Sequence, residues 1–322
     1  MADFIGLVEK DLKKLELSID KLITTKIGFI REIVNYLIKS GGKRVRPILV
    51  MLSSKLCGYR GDKHIPYAAI IEFIHTATLL HDDVVDNART RRGFSTVNTV
   101  WGNEPSVLVG DFLYSKSFEL MSQEGNREIM KTISQATTAL SEGEILEIIK
   151  TADISITEKE YFDIIGNKTA ILFSAACEIG AILGNVKKEQ RNALKNFGYE
   201  LGIAFQLRDD ILDYTSYDEV LGKHVGTDIK EGKVTLPLIH ALKSAGEKER
   251  LSVARILKKN TVSQKDFERV RKLIEQYDGT AYTSAATEEF LQSAKKQLGI
   301  FPSSRYKNGL ISLADYMLKR EK

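Results

Sequence analysis

The chain has 322 residues, 43% of them hydrophobic, which is ample for a sizeable core. Its formal charge of +4 comes from cations scattered along the sequence, so the concentrated basic stripe of a nucleic-acid binder is excluded. Two cysteines, Cys57 and Cys177, sit among apolar residues without C-x-x-C spacing; they exclude a disulfide framework and fit a reducing, cytoplasmic setting.

Residues Met1 to Lys14 carry acidic side chains and no sustained apolar core, so no signal peptide is expected. No uncharged stretch reaches the about 18 apolar residues of a spanning helix; Thr169 to Leu183 comes nearest and is interrupted by Glu178. Stable membrane insertion is therefore not expected. Five prolines and the absence of a Gly/Ser-rich linker predict a single domain over 1–322.

Apolar residues recurring at three- and four-residue steps predict helices, in chain order, over Phe4–Ser18, Ile27–Lys39, Pro47–Leu56, Ala68–Asp86, Val107–Gln123, Ile129–Lys150, Lys159–Leu183, Arg191–Tyr214, Leu236–Ala245 and Thr287–Leu298. Gly41-Gly42, Gly58, Gly184-Asn185 and Gly246 supply stops, and Thr157 with Glu160 forms a capping box. No alternating strand pattern stands out. The predicted fold class is all-α, a bundle of long helices.

Between the second and third helices, Gly41-Gly42-Lys43-Arg44-Val45-Arg46-Pro47 releases the chain, places three cations and restarts a helix at proline. Cations before a helix N-terminus suit a diphosphate, though a basic surface turn has the same composition. Glu72 and His75 match half of a carboxylate-bridged di-iron bundle, but no second Glu-x-x-His exists. Neither a GxGxxG dinucleotide turn nor a P-loop occurs.

The fourth helix ends in Asp82-Asp83-Val84-Val85-Asp86, and the eighth in Asp209-Asp210-Ile211-Leu212-Asp213. In each D-D-x-x-D the first and last aspartates fall one turn apart on one face. A lone copy is most often surface charge. Here apolar residues precede both (Ile70, Ile71, Phe73, Ile74, Leu79 and Leu80; Leu201, Ile203, Phe205 and Leu207), and crowded carboxylates beside a core lose hydration and repel. A hard divalent cation resolves that conflict: Mg²⁺ takes oxygen ligands and is held by one or two carboxylates plus substrate phosphates. His75 shares a face with Asp82 and Asp86, and Arg91-Arg92-Gly93 follows with fixed positive charge. Lys168-Thr169 lies between Ile164, Ile165, Ile171 and Leu172, so its lysine requires an anionic partner. Gln206 faces the same side as Asp210 and Asp213.

GGKRVRP, EFIHTATLLHDDVVDNARTRRG, GNKTA and FQLRDDILDYTSYDEVLGKHVGTDIKEGKVTLPL resemble, in order and over nearly the whole chain, the trans-isoprenyl diphosphate synthases, in particular bacterial long-chain members of the octaprenyl type. The resemblance implies one all-α domain around a deep central cavity and a cytoplasmic homodimer. It implies Mg²⁺ as cofactor, roughly three ions per substrate-loaded site. Asp82 and Asp86, supported by Asp83, would hold metal against an allylic diphosphate; Asp209, with Asp210 and Asp213, would hold metal from the opposite wall. Arg91, Lys168, Lys223 and Lys233 would contact the allylic diphosphate, and Lys43, Arg46, His75 and Arg92 isopentenyl diphosphate. Lys168, Thr169 and Gln206 would be catalytic, the last two facing a carbocation through oxygen.

Small residues at Ala77 and Thr78, below Asp82, would leave a channel open for the growing chain down to a floor at Met121 and Ile133. The implied product is octaprenyl diphosphate for a quinone side chain. Shorter farnesyl or geranylgeranyl products are the alternative that Ala77-Thr78 argues against. A silent subunit of a heteromeric synthase would be expected to lose motif residues that are all present here. A class I terpene cyclase has no need of the second diphosphate pocket.

Overall fold

The computed structural model describes residues 3–91, 93–215, 226–259 and 261–318. Among them the only sheet is a two-stranded antiparallel ribbon, β1 Thr90–Arg91 and β2 Phe94–Ser95, just after the first aspartate motif. Everything else is helix and connection, as the 3.6-residue periodicity predicts.

The helices in chain order are α1 Asp3–Gly6, α2 Glu9–Leu22, α3 Gly28–Lys39, α4 Val45–Leu56, α5 His64–Val85, α6 Val97–Trp101, α7 Asn103–Glu124, α8 Arg127–Lys150, α9 Glu158–Ile165, α10 Ile171–Leu183, α11 Lys188–Thr215, α12 Thr227–Lys230, α13 Leu236–Ser244, α14 Glu247–Leu257, α15 Gln264–Gln276, α16 Gly279–Gln297 and α17 Arg305–Leu318. Several starts differ from expectation for local reasons. Pro47 and Pro66 both sit inside a first turn, where no backbone donor is needed, so α4 and α5 begin before them. The expected Phe4–Ser18 helix is two elements, and the expected Lys159–Leu183 helix is α9 and α10 joined by a π-turn at Gly166–Ala170.

Three helices are buried all round along part of their length and define the centre, α4 among them from Pro47 to Ser54. Every residue of α5 from Tyr67 to Ile74 is buried, as is every residue of α10 from Leu172 to Ala181, the signature of a helix packed on all sides. Within α10 the buried Glu178 is neutralised by Arg191 Nε at 2.9 Å. α10 packs against α4, α5, α8 and α11. Two apolar clusters result, one centred on α4, α5 and α10 and one on α9, α13 and α15; α11 contributes Leu201 to the first and Ile203 and Leu207 to the second. No helix is long and apolar enough to cross a membrane among the described residues.

Glycines bring the α8–π-turn–α11 region together. A Cβ on Gly143 would meet the backbone N of Lys168 at 2.8 Å, and one on Gly202 would meet Ala170 Cα at 2.5 Å. Both obstacles are backbone, which cannot rotate away. Gly202→Val is expected to lower the unfolding free energy by about 2 kcal/mol in a urea titration. Gly299→Ala, with open space around its Cβ, is expected to stay within about 0.5 kcal/mol of the parent.

Candidate active site

The first motif occupies the last turn of α5, with Asp86 at its C-cap. Its three aspartates differ physically. Asp83 is buried and receives Arg91 Nε and Nη2, both at 2.8 Å, so it fixes Arg91 at the end of β1. Asn98 Nδ2 donates to the Asp83 backbone carbonyl at 3.0 Å and holds the same turn. Asp86 faces Lys233 Nζ at 3.4 Å. The Asp82 carboxylate has no hydrogen bond or ion pair among the described residues, and burial, then Glu144, push its pKa up to about 7.

The second motif closes α11. Asp210 is buried and accepts from Gln206 Nε2 at 2.8 Å and from the Tyr161 hydroxyl. Burial lifts its pKa to about 7 against the pull of those two bonds, with Asp209 and Asp213 adding to the rise. Asp213 accepts the backbone N–H groups of Thr227 and Asp228, each at 3.1 Å, tying the first turn of α12 to α11. Gly226 enters that turn at φ +79, and any Cβ there would meet the Phe267 ring. Asp228 is itself held well above the usual carboxylate range by burial and by Asp213 and Asp210.

Two lysines bridge the walls. Lys168, in the π-turn, reaches Glu144 at 2.7 Å and Glu147 at 2.6 Å on α8. Lys233, after α12, reaches Glu231 at 2.7 Å, Asp86 at 3.4 Å and Glu147 at 3.6 Å. Burial opposes both charges, but the surrounding carboxylates, Glu147 first in each case, outweigh it and raise both lysine pKa values. Glu144 and Glu147 share Lys168 yet shift oppositely. Burial dominates at Glu144 and raises it; at Glu147 Lys233 adds to Lys168, and the two overcome burial. We read the pair as one shared negative site clasped by two cations. Lys168, Thr169, Gln206, Asp210, Asp228 and Lys233 line one cleft. Within it, Thr169 Oγ1 donates to Gln206 Oε1 at 2.9 Å.

A second cleft lies beside α5, lined by Gly41, Arg44, Glu72, His75, Asp83 and Arg91 among others. Gly41 and Arg44 adopt positive φ, +75 and +49, so the glycine-rich turn is sharply folded. Arg44 spends its charge on Glu72 at 2.8 Å, so it anchors the turn to α5. Arg46 stacks over the Phe173 ring at 4.5 Å, and Lys43 lies 5.9 Å from the Tyr316 ring. Ala77, Met121 and Ile133 are buried, and the half-buried Thr78 donates its hydroxyl to the His75 carbonyl at 2.8 Å. Arg92 and Lys223 lie outside the described residues.

The expected anionic partner of Lys168 is therefore present in the protein, as Glu144 and Glu147. Sequence reasoning did not single these out, nor Tyr161, Asp228, Glu231 and the Arg44–Glu72 pair. One signal was available for the glutamates: Glu144 and Glu147 are three residues apart on α8, hence on one face. Among the described residues no three His, Cys, Asp or Glu side chains already form a closed metal cage.

Comparison with known proteins bears directly on this site. The family model described as polyprenyl synthetase matches residues 28–274. The octaprenyl diphosphate synthase of Escherichia coli (strain K12) is 38% identical over 316 residues, covering 98% of each chain. A polyprenyl synthase from Caulobacter crescentus, solved with calcium and isoprenyl diphosphate, superposes with a TM-score of 0.95 at 37% identity, covering 99% of this chain and 98% of that one. A decaprenyl diphosphate synthase from Rhodobacter capsulatus gives 0.94 at 39% identity, with the same coverage. Matched along nearly its whole length, with two aspartate motifs closing helices on either side of a lysine-bridged cleft, the chain belongs to the polyprenyl synthetase family of trans-prenyltransferases.

Proposed function

We propose that this enzyme extends an allylic diphosphate such as farnesyl diphosphate with isopentenyl diphosphate, giving a long all-trans product, octaprenyl diphosphate, for a quinone side chain. The observation that carries the reading is Lys233, which contacts Asp86 of the first motif and lies in the cleft of the second. Two acidic walls joined by cations suit a substrate that brings a diphosphate of its own.

The donor set fits a hard divalent metal. Asp82 offers a half-buried carboxylate with no donor among the described residues, and Asp86 and Asp209 offer further oxygens. We assign Mg²⁺ to these positions, roughly three ions when substrate is present, with Asp83, Asp210 and Asp213 supporting them. When bound, the metal would neutralise the diphosphate and polarise the allylic C–O bond.

The protein's own groups supply the rest. Arg91, Lys168 and Lys233, with Lys223, bind the allylic diphosphate and stabilise the charge that develops as the C–O bond breaks. Lys43, Arg46, His75 and Arg92 hold isopentenyl diphosphate. Thr169 and Gln206 present oxygen atoms to the allylic cation while the isopentenyl double bond attacks it. The departing diphosphate accepts the proton then lost, so no side-chain base is needed. Closure over the site excludes water that would quench the cation.

We also propose one domain over 1–322, a cytoplasmic location and a homodimer. Leu108, Asp111, Ser115 and Phe118 follow one another at helical spacing on the exposed face of α7, with Leu108 65% and Phe118 41% exposed. Two large apolar side chains on one exposed stripe suit self-association.

Purified enzyme given Mg²⁺, farnesyl diphosphate and labelled isopentenyl diphosphate is expected to yield octaprenyl diphosphate by mass spectrometry, and EDTA to abolish it. A product no longer than geranylgeranyl diphosphate would instead place the stop near Ala77. Ala77→Tyr, filling the buried position one turn above Phe73, is expected to shorten the product to farnesyl or geranylgeranyl size. An unchanged product distribution rejects the channel.

Ionised Asp82 destabilises the metal-free fold, because burial and then Glu144 raise its pKa to about 7. This penalty is absent below the unfolded carboxylate range and complete once pH has risen past the folded pKa. At about pH 8 in EDTA, Asp82→Asn is expected to raise the melting temperature. Asp83→Asn, which loosens the Arg91 pair, is expected to lower stability by roughly 2 kcal/mol. Mg²⁺ with inorganic diphosphate should stabilise the parent more than Asp82→Asn.

A further inference from the structure

A row of four side chains runs from the cleft into the core: Thr169 in the π-turn, Gln206 and Asp210 on α11, and Tyr161 on α9. The bonds are Thr169 Oγ1 to Gln206 Oε1 at 2.9 Å, Gln206 Nε2 to Asp210 Oδ1 at 2.8 Å, and the Tyr161 hydroxyl to Asp210 Oδ2. Tyr161 and Asp210 are each 2% exposed. Donor and acceptor chemistry fixes the direction of the whole row. In its ionised form Asp210 only accepts, and both neighbours donate to it, Gln206 through Nε2 and Tyr161 through its hydroxyl. Gln206 therefore turns its NH₂ inward, and its carbonyl oxygen is left facing Thr169. The Thr169 proton is then spent on that carbonyl, which leaves lone pairs of both oxygens for the cleft.

We infer that Tyr161 and Asp210 are positioning residues that lock the Gln206 amide in the orientation presenting oxygen to the allylic cation. The inference rests on the reading that Thr169 and Gln206 face that cation. On this account both Asp210 oxygens serve the row, and its contribution to metal binding is indirect. A flipped Gln206 would aim N–H dipoles at a developing positive charge, opposing reaction without altering the diphosphate contacts. Loss of Tyr161 therefore acts on the chemical step and not on substrate binding.

The test is Tyr161→Phe, which removes one oxygen and keeps the ring packing. With parent enzyme as control, kcat is expected to fall about tenfold, with KM for both diphosphates and the Mg²⁺ half-saturation unchanged. In a Gln206→Leu background the same change should cost nothing further, because the group it acts through is gone. A parental kcat in Tyr161→Phe, a full additive loss in the double variant, or a shifted Mg²⁺ half-saturation would overturn the inference. If Tyr161→Phe melts below assay temperature, Asp210→Asn tests the same row by weakening its central acceptor; it should again lose kcat, and a parental kcat would overturn the inference. An inactive parent enzyme would instead count against the functional reading.

Discussion

Everything in this site depends on how two half-buried lysines are neutralised. Lys168 and Lys233 come from segments on different sides of the cleft, and burial disfavours both charges. Glu147 is the carboxylate that both reach, and Glu144, Asp86 and Glu231 complete the arrangement. Coulomb attraction in a low-dielectric setting outweighs desolvation only when geometry is close and several partners share the charge. The cluster meets that condition, and so draws α5, α8, the π-turn and the segment after α12 to one point. Carboxylate oxygens surround both lysines, and in the proposed function diphosphate oxygens take their place.

That convergence needs helices to approach closely where the lysine leaves the backbone. The π-turn at Gly166–Ala170 adds a residue to the helical ladder there, and such turns recur at functional sites. Gly143 on α8 and Gly202 on α11 flank it without side chains, so both neighbours rest against its backbone. The tight packing then holds Lys168 opposite Glu144 and Glu147, and Thr169 opposite Gln206. Core packing and charge placement are one arrangement in this region.

Much of this was legible in the sequence, because the signals were local. Apolar residues ahead of each D-D-x-x-D marked a buried helix end, and apolar neighbours around Lys168 required an anion for it. Long-range pairings were not legible. The partners of Lys168 lie 21 and 24 residues upstream, and nothing in that spacing selects them over the other acids of α8. Arg44, read as one of three phosphate cations, is instead held by Glu72, a partner 28 residues away. Helices α14, α15 and α17 were missed altogether. In α15 Phe267, Val270, Leu273 and Ile274 recur at helical spacing behind a Ser263 capping box, so its signal was present in the sequence despite the many charged residues between them.

The two aspartate motifs read alike and do different work, and helix geometry explains how. Successive residues rotate by about 100°, so in D-D-x-x-D the first and last carboxylates share a face while the second turns toward the protein. In both copies the second aspartate is indeed the buried one, Asp83 under Arg91 and Asp210 under Tyr161 and Gln206. What differs is the committed partner. Asp83 grips a cation and so fixes the Arg91 guanidinium, the proposed diphosphate contact. Asp210 accepts from two neutral donors, the Gln206 amide and the Tyr161 hydroxyl. The last aspartates diverge too: Asp86 meets the Lys233 ammonium at 3.4 Å, whereas Asp213 is tied to backbone N–H groups of α12. The first wall is thus closed by a side-chain ion pair, and the second by hydrogen bonds to the backbone of its own fold.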